Sequence, residues 1–189
     1  RWYIEVVDPA EVAPSRPDDA SFAAALAAAC TAIEGALGQY PRPIDAPVFG
    51  TAPQNEFAEL FAFTPDAVTT WGNLDAVHTT LAYDLGEDEA LVIDGGVVVP
   101  CAWWGLSQNN RFLASFGRGE PTAIPGARLR VDPQGCWRVV LSARRPAADV
   151  DWLSTAGHRN GVLRIRWLQA AARPDRPRTR RVKLDDLGG

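Results

Sequence analysis

Two groups of residues have the types and spacing that chemistry requires. Asp151, His158 and Arg159 surround a turn containing Gly157. A carboxylate that accepts the proton of one imidazole nitrogen leaves the other to act as a general base near neutral pH, which makes Asp151 and His158 a candidate catalytic dyad. Ser154 and Thr155 lie close by, yet no spacing marks either as a nucleophile. The plainer reading is that Asp151 and His158 bond the backbone of a long turn and hold its shape, because buried polar groups need partners whether or not they react. The second group lies in Val162 to Leu168, where Arg164 and Arg166 leave one face of a period-two segment and Leu163, Ile165 and Trp167 leave the other. Paired guanidinium groups in a groove can clamp a carboxylate, phosphate or sulfate through bidentate hydrogen bonds. A solvated strand face with cross-strand ion pairs is the alternative. Arg138 would strengthen the clamp only if it points the same way.

Other candidates are softer. Ser107-Gln108-Asn109-Asn110-Arg111 places hydrogen-bonding groups at a strand end, where Asn109, Asn110 and Arg111 are equally suited to closing a turn or orienting a ligand. Adjacent Trp103 and Trp104 must point to opposite faces of a strand, so one indole enters the core and the other faces a loop, a partner or a ligand. Trp104 and Trp152 are the indoles singled out for ligand contact, with core packing as the competing role. The tail from Arg173 to Lys183 interleaves arginine with proline, which suits a phosphate-binding arm or, more plainly, a protected edge strand. Cys30, Cys101 and Cys136 are odd in number and far apart, with only His78 and His158 to join them. A metal site and a disulfide framework are therefore not expected, although a single bridge between Cys101 and Cys136 stays open. No phosphate-binding glycine loop or nucleophile elbow occurs, and no cofactor is expected.

The elements that must position these residues follow from pattern. Residues 19 to 37 are alanine-rich, with Phe22, Leu26, Cys30, Ile33 and Leu37 on one helical face. Asp18 or Asp19 caps the start, and Gly38 with Pro41 stops it. Trp2 to Val7 reads as a short strand, and Pro41 to Pro53 as a linker, so residues 1–53 form an extension and residues 54–189 the main domain. After Asn73 short β-type runs alternate with turn residues: Val77 to Leu85, Ala90 to Ile93, Cys101 to Ser107, Arg128 to Val131, Cys136 to Leu141, Val162 to Leu168 and Thr179 to Leu184. Without helical crossovers, neighbouring strands must pair antiparallel. The fold class is α+β, mainly β: an antiparallel, jelly-roll-like β-sandwich with an N-terminal helical segment.

Bulk properties bound the partners. With 189 residues, 47% hydrophobic and 22% charged, the chain can bury a core of its own. A formal charge of −4 argues against nucleic acid or an anionic membrane surface as the main partner. No apolar run is long enough to span a bilayer, and Arg1-Trp2-Tyr3-Ile4-Glu5 lacks a signal-peptide layout, so a cytoplasmic location is the default. The chain contains no methionine, which puts a native start outside these residues.

From Asn55 to Leu184 the chain resembles the bacterial family known as domain of unknown function 1214. The resemblance rests on Asp151 to Gly161, on the strand ending Arg166-Trp167-Leu168, on Pro174 and on the closing Val182-Lys183-Leu184. Supporting matches are Asp88 to Ile93, Trp103-Trp104 and Asp132-Pro133-Gln134-Gly135 before Trp137 to Leu141. The resemblance implies a jelly-roll-like sandwich, often with an upstream companion domain, and brings no activity. The chain departs from the family's pattern at Asp151 and at Gly105, each where asparagine is usual.

The leading expectation is a cofactor-independent sandwich that binds a small molecule or protein partner at the end bearing Asp151 to Arg159. A cofactor-independent hydrolase or lyase on a small or lipid-like metabolite, with His158 as base and Arg164 or Arg166 as anion anchor, is the competing one. A structural subunit of a homo-oligomer, docked through the Phe22 to Leu37 face, is a third.

Overall fold

A computed structural model describes residues 18–39, 52–63, 73–110, 114–116 and 119–188. The expected Trp2 to Val7 strand, most of the Pro41 to Pro53 linker and Arg111 lie outside them. Contacts divide the chain into Arg1–Tyr40 and Pro41–Gly189. In the first unit, helix α1 spans Asp19–Gln39. Its start is capped as the sequence suggests, Ser21 N donating to Asp18 Oδ1 at 2.7 Å. Accepting that bond holds the Asp18 carboxyl below its ordinary range. Phe22, Leu26 and Ile33 on its apolar face are exposed.

The second unit is a mainly β sandwich. Its strands are β1 (Phe61–Ala62), β2 (Ala76–Asp84), β3 (Glu89–Gly95), β4 (Trp103–Asn109), β5 (Ala123–Pro125), β6 (Trp137–Ser142), β7 (Trp152–Ser154), β8 (Asn160–Leu168) and β9 (Arg178–Lys183). One sheet has the order β1-β2-β8-β4-β5 and the other β7-β6-β3-β9. Period-two alternation decides which side chains meet between them. Leu81 and Tyr83 of β2, Leu106 of β4, and Leu163, Ile165 and Trp167 of β8 face Leu91 and Ile93 of β3, Val139 and Leu141 of β6, and Leu153 of β7 in one core. A smaller cluster of Ala90, Val92, Val140 and Leu184 covers the opposite face of the second sheet.

The pairings β2 with β8, β3 with β6 and β4 with β5 are nested, each inside the previous one along the chain. All are antiparallel, but β6 pairs β7 in parallel, through Val140 with Trp152 and Leu141 with Leu153. The expectation of uniformly antiparallel pairing fails there, because the chain between β6 and β7 makes an irregular loop instead of a hairpin. Arg128 to Val131 is likewise no strand. A single 3-10 turn, Gly126–Arg128, is followed by one isolated bridge from Val131 to Trp137. Cys101 and Cys136 are free thiols, so the bridge left open between them is not formed. No helix among the described residues is long and apolar enough to cross a membrane.

Core packing uses glycine as empty space. Trp104 and Trp137 contact each other with ring centroids 5.3 Å apart. A Cβ on Gly126 would overlap the Trp104 indole, and one on Gly95 would overlap that of Trp137. Gly95→Ala should therefore force the indole from its seat and destabilise the fold by about 1–3 kcal/mol, the usual cost of overpacking. Urea denaturation followed by tryptophan fluorescence reads this directly, and a midpoint equal to that of the parent protein would show that the indole moves freely.

Candidate functional site

The face of the first sheet that points away from the core carries the chemically unusual group. β8 lies at its centre, so side chains opposite in parity to Leu163, Ile165 and Trp167 leave the outer face. Register aligns Phe61 with His78, His78 with Arg166 and Arg166 with Gly105, one row across four strands. The next row pairs Thr80 with Arg164 and Arg164 with Ser107. Arg164 and Arg166 thus share a face, as their spacing predicts.

His78 is 5% exposed although it stands on the outer face. The Phe61 ring stacks on it at 5.3 Å and 16°, and Phe63 meets it edge-on at 5.4 Å. Burial, reinforced by the charges of Arg166 and Arg164, pushes the His78 imidazole down to about 4, so it is neutral at pH 7. His78 Nε2 and Arg166 Nε are both buried without a hydrogen-bond partner. Arg166 makes no hydrogen bond or ion pair among the described residues. Beyond it, Trp103 lies over Gly105, where a Cβ would stand 3.0 Å from the indole Cζ2. Trp103 is 46% exposed and forms one wall of the row. Sequence reasoning missed His78 because a histidine at an even position of one strand gives no sign of which arginine it will meet.

The other candidates serve structure. Asp151 and His158 sit at opposite ends of β7 and form no dyad. Asp151 accepts Arg130 N at 2.7 Å and Arg130 Nε at 3.1 Å, so both carboxylate oxygens are engaged. His158 is exposed, its ring 4.8 Å from that of Phe116, while its backbone N closes the turn on Thr155 O. Arg159 pairs with Asp84 at 2.6 Å. Trp152 donates Nε1 to Ser142 Oγ at 2.9 Å. Asn110 Oδ1 accepts Ala114 N at 3.0 Å, closing a turn, and Asn109 is buried beside it. Trp104, expected as a ligand contact, is the core member of its pair, because the inward parity of β4 falls on it and not on Trp103. Arg138 belongs to the other sheet, paired with Asp94 at 2.5 Å, and does not join the clamp.

A groove of about 950 Å³ lies on the second sheet, lined by Asp94, Arg130, Arg138, Asp149, Asp151 and Arg176 among others. Ion pairs occupy most of its charged lining. Arg130 pairs with Asp149 and Asp151, Arg138 with Asp94, and Arg176 with Glu59, while Arg178 of the same lining is exposed to solvent. Exposed pairs of this kind contribute little and leave little net charge to recruit a ligand. Among the described residues, no group of histidine, cysteine and carboxylate side chains could hold a metal ion.

The fold and this geometry define a two-sheet, mainly β protein with a helical N-terminal segment. No family model matches the chain, and no curated protein matches it. Among solved structures it is similar to an uncharacterized protein from Burkholderia cenocepacia, with a TM-score of 0.62 and 32% identity over 70% of this chain. It is also similar to the VPA0106 protein from Vibrio parahaemolyticus, with a TM-score of 0.49 and 13% identity over 89% of this chain. The chain spans 36% of the first protein's length and 47% of the second's.

The neutral, buried His78 makes stability depend on pH. In the unfolded chain a histidine titrates near 6.5, so between that value and about 4 the unfolded state binds the extra proton. The contribution of neutral His78 is complete above pH 6.5 and is lost as pH falls towards 4. The urea midpoint of the parent protein should drop through this window more steeply than that of His78→Phe, which has no proton to take up. Parallel midpoint curves for the two proteins would refute the burial of a neutral imidazole.

Proposed function

We propose that the sandwich binds a small anionic ligand, without a cofactor, on the outer face of its first sheet, at Arg166. The observation that carries this reading is the half-buried Arg166 guanidinium with no hydrogen bond or ion pair among the described residues, its Nε buried beside the unpartnered Nε2 of His78. Leaving a buried polar atom unsatisfied costs about 1–3 kcal/mol, more when the group is charged. A carboxylate, phosphate or sulfate oxygen removes that cost and gains a charge-assisted hydrogen bond. This moves the binding role from the end of the sandwich, around Asp151 and His158, to the sheet face. A hydrolase or lyase with His158 as base lacks the carboxylate contact that would orient it, because Asp151 is held by Arg130.

The same reading treats the body as a jelly-roll relative of the domain of unknown function 1214 family. The nested pairs β2·β8, β3·β6 and β4·β5 support it, since a jelly roll is a long antiparallel ribbon folded upon itself. So does the Burkholderia likeness, in which this chain accounts for about a third of a longer protein, as a body with a companion domain would.

Titration of the protein with acetate, inorganic phosphate and sulfate, followed by amide chemical shifts, tests the anion site. At least one anion should shift the amides of β2, β8 and β4 saturably, and Arg166→Gln should weaken that response tenfold or more. Linear, non-saturating shifts for all three anions, or equal affinity in the variant, would remove the proposal. Thermal denaturation provides a second readout, since an uncompensated cation predicts that Arg166→Met leaves the ligand-free fold as stable as the parent or more so.

A further inference from the structure

The row that holds Arg166 also carries aromatic walls, and a simple inorganic anion would use neither. On one side stands the Phe61 ring stacked on His78 at 5.3 Å, and on the other the Trp103 indole lying over Gly105. Phe61, His78, Arg166 and Gly105 are successive cross-strand partners. The strands of His78 and Gly105 are therefore two spacings apart, about 10 Å, with β8 and Arg166 between them. Glycine suits position 105, because a Cβ there would stand 2.9 Å from Ile124 O and 3.0 Å from the Trp103 indole.

Charge and exposure narrow the occupant further. His78 is neutral at pH 7 and adds no charge to its row, so the row itself offers a single positive group. Arg166 is the guanidinium of this row, and one carboxylate matches it in charge and in bidentate geometry, with Arg164 a row away on the same face. Trp103 is 46% exposed, a large indole kept in water at a sheet surface, and covering it with a flat apolar group is favourable.

We infer that the occupant is an aromatic monocarboxylate, its carboxylate on the Arg166 guanidinium and its ring against the Trp103 indole. The inference rests on the anion site proposed above and specifies what that site takes.

Calorimetric titration with benzoate, cyclohexanecarboxylate and acetate, on the parent protein, Trp103→Ala, Trp103→Leu and Arg166→Gln, tests it. Benzoate should bind the parent protein at least tenfold more tightly than acetate and severalfold more tightly than the non-planar cyclohexane acid. Both Trp103 variants should lose most of the benzoate advantage while keeping acetate affinity, and Arg166→Gln should lose all three ligands. Circular dichroism confirms that each variant is folded, and two different replacements at Trp103 guard against a local packing fault. Acetate and benzoate binding with equal affinity, both lost in Arg166→Gln, would overturn the aromatic inference and leave the anion site standing. A benzoate advantage that survives both Trp103 replacements would equally overturn the assignment of the ring to the indole. Failure of every carboxylate to bind the parent protein would overturn both.

Discussion

The structure depends on a single strand being used on both faces. β8 is hydrogen-bonded to β2 on one side and β4 on the other, so its backbone is fully committed to the sheet and its side chains alone divide the two faces. Leu163 and Ile165 are completely buried on the inner face, each worth about 1.5–3 kcal/mol relative to exposure. Slipping the register by one residue would send Arg164 and Arg166 into that core and the aliphatic residues out. The cost of burying two guanidinium groups without partners is far larger than any hairpin preference, and the pairing is therefore fixed. The outer-face row is a by-product of this constraint: what holds the core in register also aligns His78, Arg166 and Gly105 across the sheet.

The outer face departs from the ordinary behaviour of antiparallel sheets, in which one face packs and the other is solvated. His78 and Thr80 are nearly inaccessible on that side, 5% and 2% exposed. Aromatic packing accounts for His78, since Phe61 and Phe63 enclose it and displace the water that would solvate a charged imidazole. Its neutrality in turn tolerates a neighbouring arginine, for a protonated ring beside Arg166 would add repulsion to desolvation. Inside the core the polar pair is handled differently: Gln108 Nε2 donates to Tyr83 Oη, and burial pushes the Tyr83 hydroxyl up so that it stays protonated. The Gln108 amide nitrogen has a built-in partner, whereas its Oε1, like Arg166 Nε, is buried without one.

Much of the scaffold was legible from alternation and turn chemistry. β2, β3, β4, β6, β8 and β9 fall within a few residues of the runs that period two marks, and α1 ends close to its stop signals. β1, β5 and β7 were missed because strands of two or three residues are too short to show any period. Arg128 to Val131 was misread for a related reason: alternating arginine with aliphatic residues imitates a strand, but Asp151 captures the Arg130 backbone that a ladder would need. Facing directions within one strand could be read, hence the shared face of Arg164 and Arg166. Relations between strands could not. His78 meets Arg166 only through the register of two segments far apart in the chain, and nothing local encodes it. The choice of Trp104 over Trp103 failed likewise, since alternation says that the two indoles diverge but not which one the core takes.

The segment from Asp151 to Gly161, the most recognisable stretch of the sequence, is then better understood as the device that delivers β8 than as a reactive centre. Asp151 fastens Arg130, and Trp152 fastens Ser142, together holding β7 parallel to β6. Ser154 Oγ accepts the N–H of Ala156, whose φ of 49° with the 77° of Gly157 turns the chain sharply. A non-glycine residue in that left-handed region is strained by about a kcal/mol or more, and persists only where its surroundings over-determine it. The surroundings do so: His158 N bonds Thr155 O, and Arg159 reaches across to Asp84 at the end of β2. These bonds carry the chain from one sheet to the other, although Thr155 Oγ1 is buried without a partner. A residue cluster can therefore be rich in histidine, aspartate and arginine without being a site, when its hydrogen bonds close on themselves. Arg166, further along β8, makes no such bond among the described residues.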